Sequence, residues 1–457
     1  MVLNKTGKYI EESREIKRWK LTSFNHEKID KVVVIPALAE KDYLFKTLLS
    51  LSKNQKRDLN STVILCVVNN RPEGFATPEE IKNNEITLKY LNYLISGSSL
   101  DIGVDPSVAD QVEEISHSGL KLAYVDASSD GSELPGHGGV GLARKIGMDH
   151  ALTLFENHGN SNNLIISLDA DTTVQPGYLS EIDRFFSKNS CKSAVISYSH
   201  QLPDDEKLSL SICAYELFLR YYTAGLKYAE SPYAFHTIGS TMVCASVAYV
   251  AVGGMCRKRA AEDFYFLQNL AKYSPVGEIN STTVFPSSRV SGRVPFGTGR
   301  KMKELSSTGA EDLPFYNPEI FAVLKKYLMI FSEKESLFRL SGDDIMTRSR
   351  KIDPSLYDFL MLNDFKNVWE KLKFNSSDEN SLSRHFNVWF DAFKTMKLIR
   401  YLTDNRHNYV DMYRAVETLS EMSGTTGSEI TAISSDSSGD GLKRRLSLLK
   451  IMQTSLK

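Results

Sequence analysis

Asp169-Ala170-Asp171 ends the apolar run Leu164-Ile165-Ile166-Ser167-Leu168. A buried-strand pattern that stops at two carboxylates one residue apart places both acids where a strand gives way to a loop. Residues i and i+2 of a strand share a face, so the pair is expected to converge on one hard divalent cation. Such an ion would hold a diphosphate and neutralise charge developing on a leaving group. The same acids serve equally well as caps of the turn or helix that Thr172-Thr173 and Pro176 announce.

The elements around the pair alternate. Lys31 to Ile35 reads as a buried strand, with a loop at Pro36-Ala37 and an amphipathic helix near Asp42 to Ser52. Thr62 to Val68 reads as a second strand ending at Asn69-Asn70, followed by a helical stretch from about Pro78 to Leu94. Leu120 to Val125 reads as a third strand, and Leu142 to Phe155 as the helix leading to the fourth. Strands alternating with helices predict an α/β fold, a mainly parallel sheet with helices on both faces. Ligands collect at the carboxyl ends of such strands. The segments Pro36 to Glu40, Asn69-Asn70, Asp126 to Gly131 and Asp169 to Asp171 all fall on that rim.

The chain as a whole is ordinary in composition. Its 457 residues are 42% hydrophobic and 24% charged, and 55 Lys+Arg against 56 Asp+Glu leave a formal net charge of -1. That balance gives no support to nucleic acid as a partner. Cys66, Cys191, Cys213, Cys244 and Cys256 are scattered without C-x-x-C spacing, as in packing residues of a reducing compartment. Met1 to Lys20 is studded with charges and has no apolar core of a signal peptide, and the apolar stretch Met242 to Val252 is shorter than the ~20 residues that cross a bilayer. A cytoplasmic location without transmembrane segments is expected.

Past Val294 the character changes. Phe296 to Arg300 reads as a mobile loop, and most of the chain beyond it as helical. The expected organisation is an N-terminal extension over 1–29, a main domain over 30–300, a helical accessory region over 301–422 and a flexible tail over 423–457. The tail ends in a short basic amphipathic stretch from Leu442, open to peripheral contact with an anionic membrane or to simple solvation. Tyr215, Phe218, Tyr221 and Tyr222 share a helix face and are expected to pack a core.

In this order the motifs resemble those of the family 2 glycosyltransferases of GT-A fold, over roughly Asp30 to Arg300. Val32 to Glu40 resembles the opening strand and nucleotide loop, with Ala39 where the family usually has Asn. Gly139-Val140-Gly141-Leu142-Ala143-Arg144-Lys145-Ile146-Gly147 resembles the Gly-x-x-x-Ala-Arg-Asn-x-Gly helix, with Lys145 in place of Asn. Asp169-Ala170-Asp171 matches the metal-binding Asp-x-Asp, and Gly253-Gly254-Met255 with Glu262-Asp263 matches the acceptor-side turn and acids. The chain departs from the pattern at Asn69-Asn70, where many relatives are acidic, and in having no His between His236 and His385.

The resemblance implies transfer of a sugar from a nucleotide-diphosphate donor to a hydroxyl acceptor. Asp169 and Asp171 would bind Mn²⁺ or Mg²⁺. Pro36, Ala37, Glu40, Asn69, Arg144 and Asp169 would contact the nucleotide sugar. Asp263 would act as general base of an inverting displacement, with Glu262 beside it as the weaker choice for that role. As residue types, Glu262-Asp263 suit helix capping equally. Gly138, Gly139 and Gly141 permit close backbone approach ahead of a helix N-terminus, favourable for an anion. Arg289, Arg293, Arg300 and Lys301 are expected to form a basic lid over the diphosphate, Arg293 foremost, or else a solvated linker. Two other readings stay open: a non-catalytic carbohydrate- or nucleotide-binding scaffold on a transferase core, and a haloacid-dehalogenase-like phosphatase with Asp169 as nucleophile.

Overall fold

A computed structural model describes residues 2–22, 28–71, 74–97, 105–136, 138–155, 163–258, 260–290, 297–308, 313–332 and 334–424. They fall into two compact units, one drawn from Met1–Gln201 and Thr237–Ser288, the other from Leu202–His236 and Thr298–Lys457.

The first unit is built on strands β1 (Lys31–Ala37), β2 (Thr62–Asn69), β3 (Lys121–Ala127), β4 (Leu164–Ser167), β5 (Thr173–Val174), β6 (Ser193–Tyr198), β7 (Met242–Ala245) and β8 (Val276–Phe285). They form one sheet in the order β3-β2-β1-β4-β7-β6-β8-β5. The pairings make β5 and β7 run against the other six. The sheet is thus mainly parallel, as the alternation of strand and helix patterns predicts.

Its helices are α1 (Val2–Glu12), α2 (Arg14–Arg18), α3 (Lys41–Ser52), α4 (Lys56–Leu59), α5 (Pro78–Ser96), α6 (Ala109–His117), α7 (Val140–Leu154) and α8 (Tyr178–Lys188). They cover both faces. Val33, Ile35, Ile64 and Cys66 join Leu44, Phe45 and Leu48 of α3 in one core. Val34 and Val67, on the opposite side by strand alternation, lie against Gly147 of α7, where a Cβ would come within 2.3 Å of Val34. The continuous β-branched runs of β1 and β2 are what a strand buried on both faces requires.

Chain direction reverses across this sheet. From β1 the chain moves outward to β2 and β3, then α7 carries it back to β4 on the other side of β1. The gap between the carboxyl ends of β1 and β4 is therefore a topological switch point, the crevice where open α/β sheets bind ligands.

Two boundaries differ from the sequence reading. Pro36 and Ala37 are not a loop: both continue β1, paired with Val67 and Val68. Hydrogen bonding between β1 and β4 ends with the Leu168 N–H on the Val34 carbonyl at 3.1 Å, and the next bond of that ladder would need the N–H that Pro36 lacks. Conversely β4 stops at Ser167, and Asp169 to Asp171 lie in a turn closed by the Thr172 N–H on the Asp169 carbonyl at 3.1 Å. Strand alternation does not govern the two carboxylates.

The second unit is helical among its described residues. It contains α9 (Glu206–Tyr228), α12 (Thr298–Thr308) and seven further helices between Glu319 and Met422, while α10 (Ser246–Ala251) and α11 (Glu262–Tyr273) return to the first unit. Its core joins Leu217 and Tyr221 to Phe321, Tyr327, Trp369 and Phe386. Tyr221 donates to the Tyr316 carbonyl at 2.5 Å, and Gly225 leaves room for the Phe321 ring. The aromatic face of α9 is a packing face. No helix among the described residues is long and apolar enough to cross a membrane.

Candidate active site

Asp169 and Asp171 are half-buried at the carboxyl end of β4, at the switch point. Their turn is fastened from two sides. Thr47 of α3 donates its hydroxyl to the Ala170 carbonyl at 2.8 Å, and Gln201 donates to the carbonyls of Asp171 (3.1 Å) and Phe285 (2.7 Å).

Arg144 reaches the same place from the first turns of α7. It is 3% exposed, and its guanidinium bonds Asp169 Oδ1 through Nη2 and Glu262 Oε1 through Nη1. Two glycines make the approach possible. A Cβ at Gly239 would stand 2.2 Å from Arg144 Nη2, and one at Gly141 would stand 2.2 Å from the Lys258 carbonyl and 2.9 Å from Glu262 Cβ. Gly141 therefore serves close packing of α7 against the segment that leads to Glu262. The sequence alone suggested an anion there.

Glu262 and Asp263 open α11 after Ala261, which holds a left-handed φ of 58°. Glu262 is buried at 3% exposure, whereas Asp263 is partly exposed and accepts the Phe264 N–H on Oδ1 at 2.8 Å. Burial pushes the Glu262 carboxyl up to about 7, against the pull of Arg144 and with the push of Asp263. Burial also raises Asp263, again opposed by Arg144. Burial is the larger cause for both, and the neighbouring carboxylates that share the Arg144 guanidinium add a smaller upward push.

The donor set for a cation is two hard carboxylates. Among the described residues no group of three or more His, Cys, Asp and Glu is gathered for a metal. Asp169 keeps Oδ2 without a hydrogen bond among the described residues, Arg144 taking Oδ1. These residues fit an ion such as Mg²⁺ or Mn²⁺ that completes its shell with water and phosphate oxygens, and they do not form a closed protein cage.

The neighbouring rim is made by Pro36 and Ala37 at the end of β1, Ala39 just beyond it, Glu40 at the N-cap of α3, and Asn69-Asn70 at the end of β2. Asn84 of α5, which no sequence motif marks, ties these segments together. It accepts the Ala39 N–H at 2.9 Å and donates to the Asn69 carbonyl at 3.0 Å and to Asn70 Oδ1 at 2.5 Å.

Behind Arg144, a buried Asp149 anchors α7. It accepts from Tyr9 (3.0 Å), Ser13 (2.7 Å) and Tyr249 (2.6 Å), and pairs with Lys145 at 3.1 Å. Gly254 lies against this group, where a Cβ would meet the Tyr9 hydroxyl at 2.0 Å. Lys145 thus faces away from the carboxylates, into the packing of α1 on α7.

Of the residues expected in a basic lid, Arg289 follows the end of β8. Arg300 and Lys301 are on α12, Lys301 paired with Glu304 at 2.9 Å, and Arg293 lies outside the described residues.

No protein-family model matches the sequence, and no curated protein matches it. Solved structures give loose matches. TarS 1–349 of S. aureus in complex with UDP-GlcNAc is 12% identical with a TM-score of 0.36, over 93% of this chain and 90% of that one. The same protein in complex with UDP is 13% identical with a TM-score of 0.35, over 78% and 89%. The mannosyltransferase PcManGT of Pyrobaculum calidifontis, in complex with GDP-Man and Mn2+, is 9% identical with a TM-score of 0.36, over 100% and 96%.

Proposed function

We propose that the protein is a metal-dependent glycosyltransferase of GT-A type, moving a sugar from a nucleotide-diphosphate donor to an acceptor hydroxyl in glycan or glycoconjugate synthesis. One observation carries the reading. Arg144, Asp169 and Glu262, each singled out from a different stretch of sequence, meet in one ion-paired cluster at the switch point of a mainly parallel sheet.

Asp169 and Asp171 hold the cation in this reading. An ion held by these two carboxylates would supply positive charge beside the diphosphate of the donor. Arg144 fixes the Asp169 carboxylate and keeps a permanent positive charge beside it. Pro36, Ala37, Glu40 and Asn69 form the wall against the nucleoside. Arg293 joins the donor contacts on the sequence resemblance alone.

Asp263 takes the proton of the acceptor hydroxyl in an inverting displacement. It is the better placed of the two acids, because Glu262 is buried and held by Arg144 while Asp263 remains partly open. Its raised pKa makes it a stronger base than an exposed aspartate, and Glu262 acts by holding Arg144.

A phosphatase with Asp169 as nucleophile fits less well, since three strand–helix units precede Asp169 and Glu262 begins a helix instead of ending a strand. A panel of nucleotide sugars incubated with the protein and Mn²⁺, with products read by mass, separates the readings. Release of nucleoside diphosphate from one donor, stopped by chelator, is expected. Phosphate release from a phosphomonoester would favour the phosphatase, and metal-dependent binding without turnover the scaffold.

A further inference from the structure

Asn84 is 1% exposed in the interior of α5, and its amide is saturated. Nδ2 gives its two hydrogens to the Asn69 carbonyl and to Asn70 Oδ1, and Oδ1 accepts the Ala39 N–H. The string continues beyond it. Asn70 Nδ2 donates to the Ser128 carbonyl at 2.7 Å, and its N–H bonds the Ala127 carbonyl at 3.1 Å. Ser128 in turn donates its N–H to Asp126 Oδ1 at 2.9 Å. The preceding Asn83 accepts the N–H of Lys41, the first residue of α3, at 2.9 Å. The carboxyl ends of β1, β2 and β3 are thus joined by side-chain amides at the rim next to the switch point.

Ala39 is where this clamp matters most. Its φ is 52°, in the left-handed region that a Cβ disfavours. The bond from its N–H to Asn84 holds that conformation, and with it the start of α3 at Glu40. The Asn69 side chain, by contrast, makes no hydrogen bond among the described residues, although its own carbonyl is fixed by Asn84. An amide of this kind presents one donor group and one acceptor, the complement of a nucleobase edge.

Resting on the transferase reading, we propose that Asn84 is a positioning residue for the donor nucleoside. It keeps Ala39 left-handed and the end of β2 in place, so that the Asn69 amide meets the base preorganised. Asn84 itself touches no substrate.

The test is a double-mutant cycle on the full chain, with UDP and GDP as probes in the presence of Mn²⁺ and binding followed by calorimetry. Asn84→Ala should weaken the nucleotide that the wild type binds on the order of tenfold, the factor to which a left-handed residue's cost converts. Ala39→Gly in the same chain should restore the affinity to that of the Ala39→Gly single variant, because glycine holds the turn without the clamp. Ala39→Val leaves α5 untouched and should reproduce the loss, which keeps the idea testable if Asn84→Ala folds poorly. Unchanged affinity in Ala39→Val, or a loss in Asn84→Ala that glycine at position 39 does not repair, would overturn the proposal. If the wild type binds neither of these nor any of ADP, CDP and dTDP, the transferase reading itself fails, and this inference with it.

Discussion

Arg144 and Glu262 form a buried ion pair across 118 positions of sequence, each side chain only 4% exposed. The pair joins α7 to α11, and through Asp169 to the end of β4. Removing one partner leaves a buried charge unanswered, which typically costs about 3–5 kcal/mol. Arg144→Met is therefore expected to destabilise the first unit by that order, measured by urea unfolding. Arg144→Met combined with Glu262→Met should recover most of the stability and none of the turnover. Recovery of turnover would show that the guanidinium only packs.

The Glu262 carboxyl has a definite pH signature. Its pKa lies near 7 in the folded chain against 4.5 for the ordinary group, so between those values the folded state holds a proton that the unfolded state has released. This group's contribution is favourable at low pH and is lost as pH rises from about 4.5 through 7. Paired carboxylates such as Asp105 run the other way, losing stability as pH falls. The difference in unfolding free energy between wild type and Glu262→Gln, followed across that window, isolates the term. A difference that does not change with pH would remove the raised pKa.

Gly239 is predicted to be intolerant of any side chain. A methyl there would overlap Arg144 Nη2, and overpacking of this kind costs about 1–3 kcal/mol. Gly239→Ala should lose turnover more than stability, because the displaced guanidinium releases Asp169. Comparing activity with melting temperature in that variant checks the order.

Much of this was legible in the chain and some was not, for identifiable reasons. The run Val32 to Ile35 announces a strand buried on both faces, and the rim position of Asp169 follows from where its apolar run ends. Whether Asp169 and Asp171 continue the strand or enter a turn was open, because the sequence allows both. Leu168 still gives its N–H to the Val34 carbonyl of β1 at 3.1 Å, and the chain turns directly after it. Asn84 left no signal, since its partners lie 15, 14 and 45 positions away and one polar residue in a helix pattern is unremarkable. Lys145 stood out only as a departure from a motif. Its partner Asp149, at i+4 on the same helix, was there to be found.

Asp149 is expected to be as critical to stability as any catalytic group is to turnover. Asp149→Ala strands Lys145 and three hydroxyls, those of Tyr9, Ser13 and Tyr249. A loss of about 3–5 kcal/mol is predicted, with α1 released first. Hydrogen exchange along Val2–Glu12 tests this, and protection unchanged from wild type would contradict it.

Manganese binding tests the central claim most directly. Electron paramagnetic resonance of Mn²⁺ titrated into the full chain, with and without nucleoside diphosphate, reports the free ion by its sharp signal and the bound ion by the loss of that signal. The account predicts that wild type takes up the ion, more tightly with nucleotide present, and that Asp171→Asn does not while melting as wild type does. Equal uptake by wild type and Asp171→Asn would contradict it.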